Sequence, residues 1–281
     1  MMFRYGMTQW IVGEEPLENS FIRLRDCGYD SIEFAGEPDT LNADECRRLM
    51  EKYGLLSNSM CGIFSEERDL SADGGAAEKA VNYLKRCVDL GAKLGTGVII
   101  AVPSPVGRLA PPAGVPLERL FENAVRNYRA AGDYAQGKGL KIAIEAINRY
   151  ETYFVNTMEK ACRRAGEINH PAVGVMADTF HMNLEESEME ASLRMAADRL
   201  LHVHLADNTR EPPGMGATNF GKVLRALKDI GYQGILCMEF LPRVSDPYAS
   251  MRGEGQAALM DRYAKSAIEH MKGVEKKLKK Q

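Results

Sequence analysis

Glu145, Asp178, His204 and Glu239 each close a short apolar run, in the phrases IAIE, VGVMAD, LLHVH and ILCME. A lone carboxylate is poorly placed inside a strand, because burying an unpaired charge is costly. Such a residue either sits at an exposed strand end or meets something cationic there. The four are separated by 33, 26 and 35 residues, each about the length of one strand–helix unit. Three carboxylates and one imidazole brought to a point suit a divalent ion such as Mn²⁺, Co²⁺ or Mg²⁺, whereas a structural zinc site would favour thiolates. Any one of these residues alone reads more readily as a capped or salt-bridged strand end than as a functional group. Four in succession ask for a shared partner.

Polar neighbours follow at short offsets: Glu151 after Glu145, His181 after Asp178 and Arg210 after His204. Each falls in the segment leaving its run, within reach of a substrate held by the metal. The bland alternatives are a helix-cap role for His181 and a surface ion pair for Arg210. His202, two residues before His204, shares its side of a strand and is placed to support it from beneath. His170, before Pro171, and His270 in the last helical stretch read as surface residues.

The elements that must position these residues alternate regularly. Eight β-like runs occur at 4–10, 31–36, 55–62, 97–103, 141–147, 173–178, 200–207 and 234–240. Helical spacing fills the gaps. Leu17, Phe21, Leu24 and Cys27 share a face, and Asn42 suits an N-cap with Glu45 at the capping-box position. Ala80, Tyr83 or Leu84, Cys87, and Leu90 or Leu94 form another inner face, and 117–139 reads as a longer amphipathic helix. Further helices are expected at about 157–168, 186–199, 218–230 and 256–278. A glycine followed by one aromatic or aliphatic residue precedes four of the runs (Gly28-Tyr29, Gly54-Leu55, Gly139-Leu140, Gly231-Tyr232), a helix-to-strand loop signature.

Eight such units predict a parallel sheet closed into a single-domain (β/α)₈ TIM barrel spanning 1–281, with the four candidate ligands at the C-terminal ends of strands five to eight. A doubly wound open sheet would usually carry a Gly-rich phosphate loop after its first strand, and TQWIVGEEP is not one. The Pro-rich stretch 103–116 reads as a long loop after the fourth strand, a rim or lid. The basic tail EKKLKKQ reads as a solvated helix end.

Bulk properties narrow the field. With 36 Lys and Arg against 39 Asp and Glu, the net charge of −3 gives no electrostatic case for nucleic acid or an anionic membrane. No apolar run reaches the roughly 18–20 residues that span a bilayer. The start, MMFRYGMTQW, lacks the apolar core and cleavage site of a secretory signal. Six scattered cysteines without a CxxC pair read as free thiols in a reducing cytoplasm.

The phrases IAIEAINRYETYFVNTMEKA, ADTFHMNLEE, HVHLADNTREPPG and CMEF together resemble the D-tagatose/D-psicose (ketose) 3-epimerase family of the xylose-isomerase-like TIM barrels. EERDLSADGGA at 66–76 is similar to a family segment after the third strand. The resemblance covers most of the chain and is strongest from 140 to 241. It implies an Mn²⁺- or Co²⁺-dependent isomerase that inverts C3 of a free ketose, acting as a homodimer or homotetramer. Glu145, Asp178, His204 and Glu239 would be the metal ligands, Glu145 and Glu239 also the proton-transfer pair. Glu151, His181 and Arg210 would hold the O1 and O2 end of the sugar. The chain departs from the family at Ala146, where proline is usual, at Met176-Ala177, in the loop after strand four and in the first strand.

The chemistry stands without the resemblance. A C–H beside a ketone is weakly acidic, and a cation on the ketone and C3 oxygens stabilises the enediolate left by deprotonation. Two carboxylates on opposite sides can then remove and return the proton with inversion. The alternatives are an aldose–ketose or keto-inositol isomerase or a dehydratase on the same barrel, a phosphodiesterase or abasic-site nuclease, and a non-catalytic sugar-binding barrel. A nuclease would want several metals and more than five histidines. Binding alone has no need of a paired acid and base.

Overall fold

A computed structural model describes residues 3–13, 15–243 and 257–280. Eight parallel strands form the barrel: β1 (Arg4–Thr8), β2 (Ser31–Gly36), β3 (Leu56–Gly62), β4 (Val98–Ala101), β5 (Lys141–Glu145), β6 (Val173–Asp178), β7 (Leu200–Leu205) and β8 (Ile235–Met238). They pair in chain order, and β1 also pairs with β8, so the sheet closes and leaves no edge. Closure excludes the open doubly wound alternative.

Around the sheet lie α1 (Leu17–Cys27), α2 (Ala43–Tyr53), α3 (Gly74–Leu94), α4 (Leu117–Gly137), α5 (Met158–Ile168), α6 (Thr179–Glu185), α7 (Met189–Ala196), α8 (Phe220–Asp229) and α9 (Ala257–Leu278). The expected helix over 256–278 is seen from Ala257, residue 256 lying outside the described residues, as does Gln281 of the basic tail. Local signals set the helix ends. The Asn42 side chain accepts from the backbone N–H of Asp44 and Glu45, stopping α2 from fraying at its start. Gly54 ends α2 with φ of 67°, a left-handed conformation that glycine adopts without a Cβ clash.

Two apolar layers follow from the pleat. Residues at i and i+2 of a strand share a face. Ile142 and Ile144 of β5, Val175 and Ala177 of β6, and Leu236 and Met238 of β8 therefore face the helices and join the main core with Phe21, Leu84, Tyr128 and Ile268. The opposite face points into the barrel. There Ile100, Ala143 and Met176 form a small cluster of their own on the β4–β6 side. On the other side the interior is polar: Ser31, Glu33, Ser59, His202 and His204 are all buried.

Two register shifts shape that polar half. Between β2 and β3, Ile32 pairs with Ser57 but Phe34 pairs with Met60, so Asn58 and Ser59 together face Glu33. Between β6 and β7, Val175 pairs with Leu200 and Met176 with His202, leaving Leu201 as the extra residue. Such bulges re-aim side chains and concentrate near functional ends of barrels.

Strands β4, β5, β7 and β8 stop short of the expected runs by about two residues, and the structure departs further from the sequence reading at three places. The first strand ends at Thr8 rather than continuing to residue 10, and Trp10–Val12 form a 3-10 turn. The stretch after β6 forms the short helix α6, started by Asp178, whose carboxylate accepts from Phe180 N–H at 2.7 Å. His170 is not a surface residue: its ring is largely covered, packs on Gly132 and reaches Asp133 at 3.1 Å. His270, in contrast, is exposed on α9, its ring edge-on to Phe220. No described helix is long and apolar enough to cross a membrane.

Candidate metal centre and active site

The barrel brings Glu145, Asp178, His204 and Glu239 together. Glu145 and Asp178 are the last residues of β5 and β6, His204 lies one residue from the end of β7, and Glu239 follows β8 directly. One ligand atom from each lies within 4.8 Å of the other three, and all four residues are buried. In β6–β7 pairing Asp178 sits opposite His204, and Glu239 N–H bonds Leu205 O at 3.1 Å, which carries the β8 register past the strand's end.

Two atoms of the cluster have no hydrogen-bond partner although fully buried: Asp178 Oδ2 and His204 Nδ1. His204 Nδ1 stands 3.2 Å from Glu239 Oε1. Glu239 Oε1 in addition accepts from Trp10 Nε1–H at 2.9 Å, a bond made possible by the turn that ends β1 early.

Without a cation the group can stay buried only by sharing protons. Burial and the Glu239 carboxylate push Glu145 well above the usual carboxylate range. The same two causes push Asp178 up to about 7. Burial opposes ionisation of Glu239 too, but His204 and Arg210 outweigh it and hold Glu239 down at about 2. His204, despite its burial, is raised well above the ordinary imidazole value by Glu239 and Glu33. Three carboxylates and one imidazolium thus settle as one ionised pair with protons retained beside it.

The three neighbours converge on the same end. His181 is carried inward by α6, with Nε2 3.8 Å from Asp178 Oδ2. Burial and the adjacent Arg210 push it well below the ordinary histidine value, so it is neutral. Asn148 Nδ2 donates to Glu151 Oε1 at 2.9 Å and lies 2.8 Å from His181 Nδ1. With Nδ1 accepting, the neutral ring carries its hydrogen on Nε2, on the side facing Asp178. Arg210 reaches Glu151 Oε1 at 3.3 Å and Glu239 Oε2 at 3.9 Å, its guanidinium stacked 4.7 Å over Phe180. Its backbone is left-handed, φ 62°, which is strained for a residue with a Cβ. Asp207 holds that turn: its carbonyl accepts from Arg210 N–H, and its carboxylate accepts from the N–H groups of Asn208, Gly214 and Thr218.

Above the cluster opens a cavity of about 280 Å³. Glu145, Glu239, Glu151, His181 and Arg210 line one end, and Trp10, Phe64, Val102, Val106 and Ile147 the rest. That is close to the lower end, about 300 Å³, of ordinary small-molecule pockets. The Pro-rich loop 103–116 forms part of the rim. It is tied to the segment after β5 by Gly107 N–H to Glu151 O at 2.7 Å, Tyr153 N–H to Arg108 O at 3.1 Å and the Ser104–Thr152 hydroxyl pair at 2.7 Å. Arg108 in turn pairs with Asp69 in the 66–76 segment.

Three residues of the site had no role assigned from the sequence: Glu33, Trp10 and Asn148. Glu33 carried a signal, since SIEFAG places an acid inside an otherwise apolar strand, whereas IAIE places one at its end.

Residues 21–264 match the family model described as xylose isomerase-like TIM barrel. The chain is 31% identical over 231 residues to a ketose 3-epimerase of Arthrobacter globiformis, covering 80% of this chain and 78% of the relative. It is 32% identical over 229 residues to an L-ribulose 3-epimerase of Methylomonas sp. (strain DH-1), covering 79% and 78%. The crystal structure of a D-allulose 3-epimerase from Methylomonas sp. in complex with D-allulose superposes with a TM-score of 0.85 at 27% identity, over 96% of both chains. On this fold and these matches, the chain belongs to the ketose 3-epimerase family of carbohydrate isomerases, within the xylose isomerase-like TIM barrels.

Proposed function

We propose that this chain is a divalent-metal-dependent epimerase that inverts C3 of a free ketose. The observation that carries the reading is the buried convergence of Glu145, Asp178, His204 and Glu239 on one end of a sugar-sized cavity. The residues fit a cation. Two buried atoms aimed at the cluster lack a hydrogen-bond partner, and three clustered carboxylates are costly to bury without positive charge. Glu145, Asp178, Glu239 and His204 Nδ1 would hold it. An oxygen-rich set with one imidazole favours Mn²⁺ or Co²⁺ and accepts Mg²⁺. When bound, the ion would supply positive charge that stabilises the enediolate and so acidifies the C3–H bond.

The chain's own residues do the rest. Arg210, neutral His181 and Glu151 bind the O1 and O2 end of the ketose and fix C3 between Glu145 and Glu239. One of these two carboxylates takes the C3 proton, and the C–H electron pair moves toward C2, giving an enediolate. The other delivers a proton to C3 from the opposite face, so the configuration inverts. Asn148 fixes the orientation of both His181 and Glu151. The apolar walls around Trp10 and Phe64 exclude water from the open enediolate. From the family resemblance we propose a homodimer or homotetramer. The six free cysteines suit a reducing cytoplasm.

A panel of ketotetroses, ketopentoses and ketohexoses, including ribulose and allulose, tests the reading when incubated with the Mn²⁺-loaded protein and followed by ¹³C NMR. The C3 epimer is the expected product. An aldose would move the assignment to an aldose–ketose isomerase on the same barrel, and no conversion of any member would remove free ketoses as substrates.

A further inference from the structure

We propose that Glu33 is a positioning residue that locks His204 in the tautomer whose Nδ1 lone pair faces the metal cluster. The inference rests on the metal reading above and adds a residue that touches neither ion nor sugar. Glu33 is 0% exposed and lies on β2, outside the β5–β8 arc that carries the ligands. A carboxylate in that position would be strongly disfavoured if it were alone. It is surrounded by hydrogen-bond donors. His204 Nε2 lies 3.0 and 3.1 Å from its two oxygens, His202 Nε2 lies 3.0 Å from Oε2, and the Ser59 hydroxyl donates to Oε2. The bulge opposite Glu33 places Ser59 there.

The consequence follows from donor and acceptor types. An ionised carboxylate only accepts, so each imidazole that bonds it must carry hydrogen on Nε2. Once His204 gives up the second proton it holds in the metal-free chain, as metal binding requires, the neutral imidazole keeps one N–H, on Nε2, and Nδ1 is left as a lone pair. That same atom is buried without a hydrogen-bond partner and lies in the cluster with Glu145, Asp178 and Glu239. His202 stands edge-on to His204, centroids 4.9 Å apart at 84°, and braces both the ring and Glu33. A carboxylate on the far nitrogen of a metal-binding histidine fixes ring angle and strengthens the donor, and losing it typically weakens metal binding about 10–100-fold.

Glu33, His202, His204 and Cys237 also have ligand atoms within 4.8 Å of one another. A second ion there would have to displace the hydrogen bonds that both imidazoles make to Glu33, so the geometry favours the protonic arrangement.

The test is Mn²⁺ titration of chelator-stripped protein, following free Mn²⁺ by EPR, for wild type and Glu33→Gln at a temperature where circular dichroism shows both folded. A Gln amide cannot accept from both imidazoles and the serine at once. We expect one Mn²⁺ per wild-type chain and about 10–100-fold weaker binding in Glu33→Gln. A purely structural Glu33 would lower the melting temperature and leave the affinity of the folded chain unchanged, which would overturn the inference. Two Mn²⁺ per wild-type chain would overturn it as well, making Glu33 a ligand. Should Glu33→Gln not fold, long-range ¹H–¹⁵N spectra of the Mg²⁺-loaded wild type decide the matter. His204 protonated on Nε2 supports the inference, and His204 protonated on Nδ1 overturns it. Absence of any Mn²⁺ binding by the wild type would instead overturn the metal reading, and this inference with it.

Discussion

Glu239→Gln is expected to abolish measurable turnover while the chain still folds and retains part of its Mn²⁺ binding. The substitution is nearly isosteric in a residue only 3% exposed, so packing is preserved. The amide oxygen can still accept from Trp10 Nε1, which lies 2.9 Å from Glu239 Oε1. It can neither take a proton from carbon nor deliver one. General acid–base groups typically contribute about 10²–10⁴ in rate, and the loss in kcat should be at least of that order. Glu145→Gln should behave alike, since inversion needs both members. Near-wild-type kcat in Glu239→Gln would remove Glu239 from proton transfer and leave it a ligand alone.

Removal of the divalent ion is expected to have the second large effect, on stability as well as on activity. A ligand at about 100 times its Kd stabilises the folded state by about 2.7 kcal/mol. With an unfolding entropy of about 2.1 cal/mol/K per residue, that corresponds to about 4–5 °C in melting temperature for a chain of 281 residues. The difference should widen as pH rises. Asp178 is pushed up to about 7 by burial and Glu239, against about 3.9 for an unfolded aspartate. Between those values the metal-free folded state holds a proton that the unfolded state has lost. Stability of the metal-free form therefore falls as pH climbs from about 4 to about 7. Cation binding runs the other way, since it needs the carboxylate ionised. Calorimetry with and without chelator at pH 5.5 and 8 should show the larger metal-induced shift at pH 8. A melting temperature indifferent to chelator at both pH values would argue that no ion is held in the cluster.

The four clustered residues and the barrel were legible for one reason. In a βα repeat, a polar residue ending an apolar run marks the C-terminal mouth, and the repeat length carries successive ends to the same point. Glu145, Asp178, His204 and Glu239 satisfied that rule, and the pairing of β5 to β8 in chain order brings the four strands side by side. Glu33 was harder to read because its role depends on neighbours far away in the chain. Ser59 is placed opposite it by a bulge, and His202 and His204 approach from across the barrel. Nothing in SIEFAG announces any of the three partners. Trp10 was obscured by a local error of two residues, because only a strand that stops at Thr8 can turn the indole back toward Glu239. Helix α6 was missed because Asp178 serves two purposes, one oxygen capping the helix at Phe180 and the other facing the cluster. His170 looked peripheral beside Pro171, yet the absence of a side chain at Gly132 makes room for its ring.

Proton transfer at C3 leaves a direct trace in ¹H and ¹³C NMR of a converted ketose in D₂O with the Mn²⁺-loaded protein. Deuterium is expected at C3 of the epimerised product, with C1 retaining its protons. Deuterium confined to C1, or an epimer formed without solvent deuterium at any carbon, would contradict that transfer.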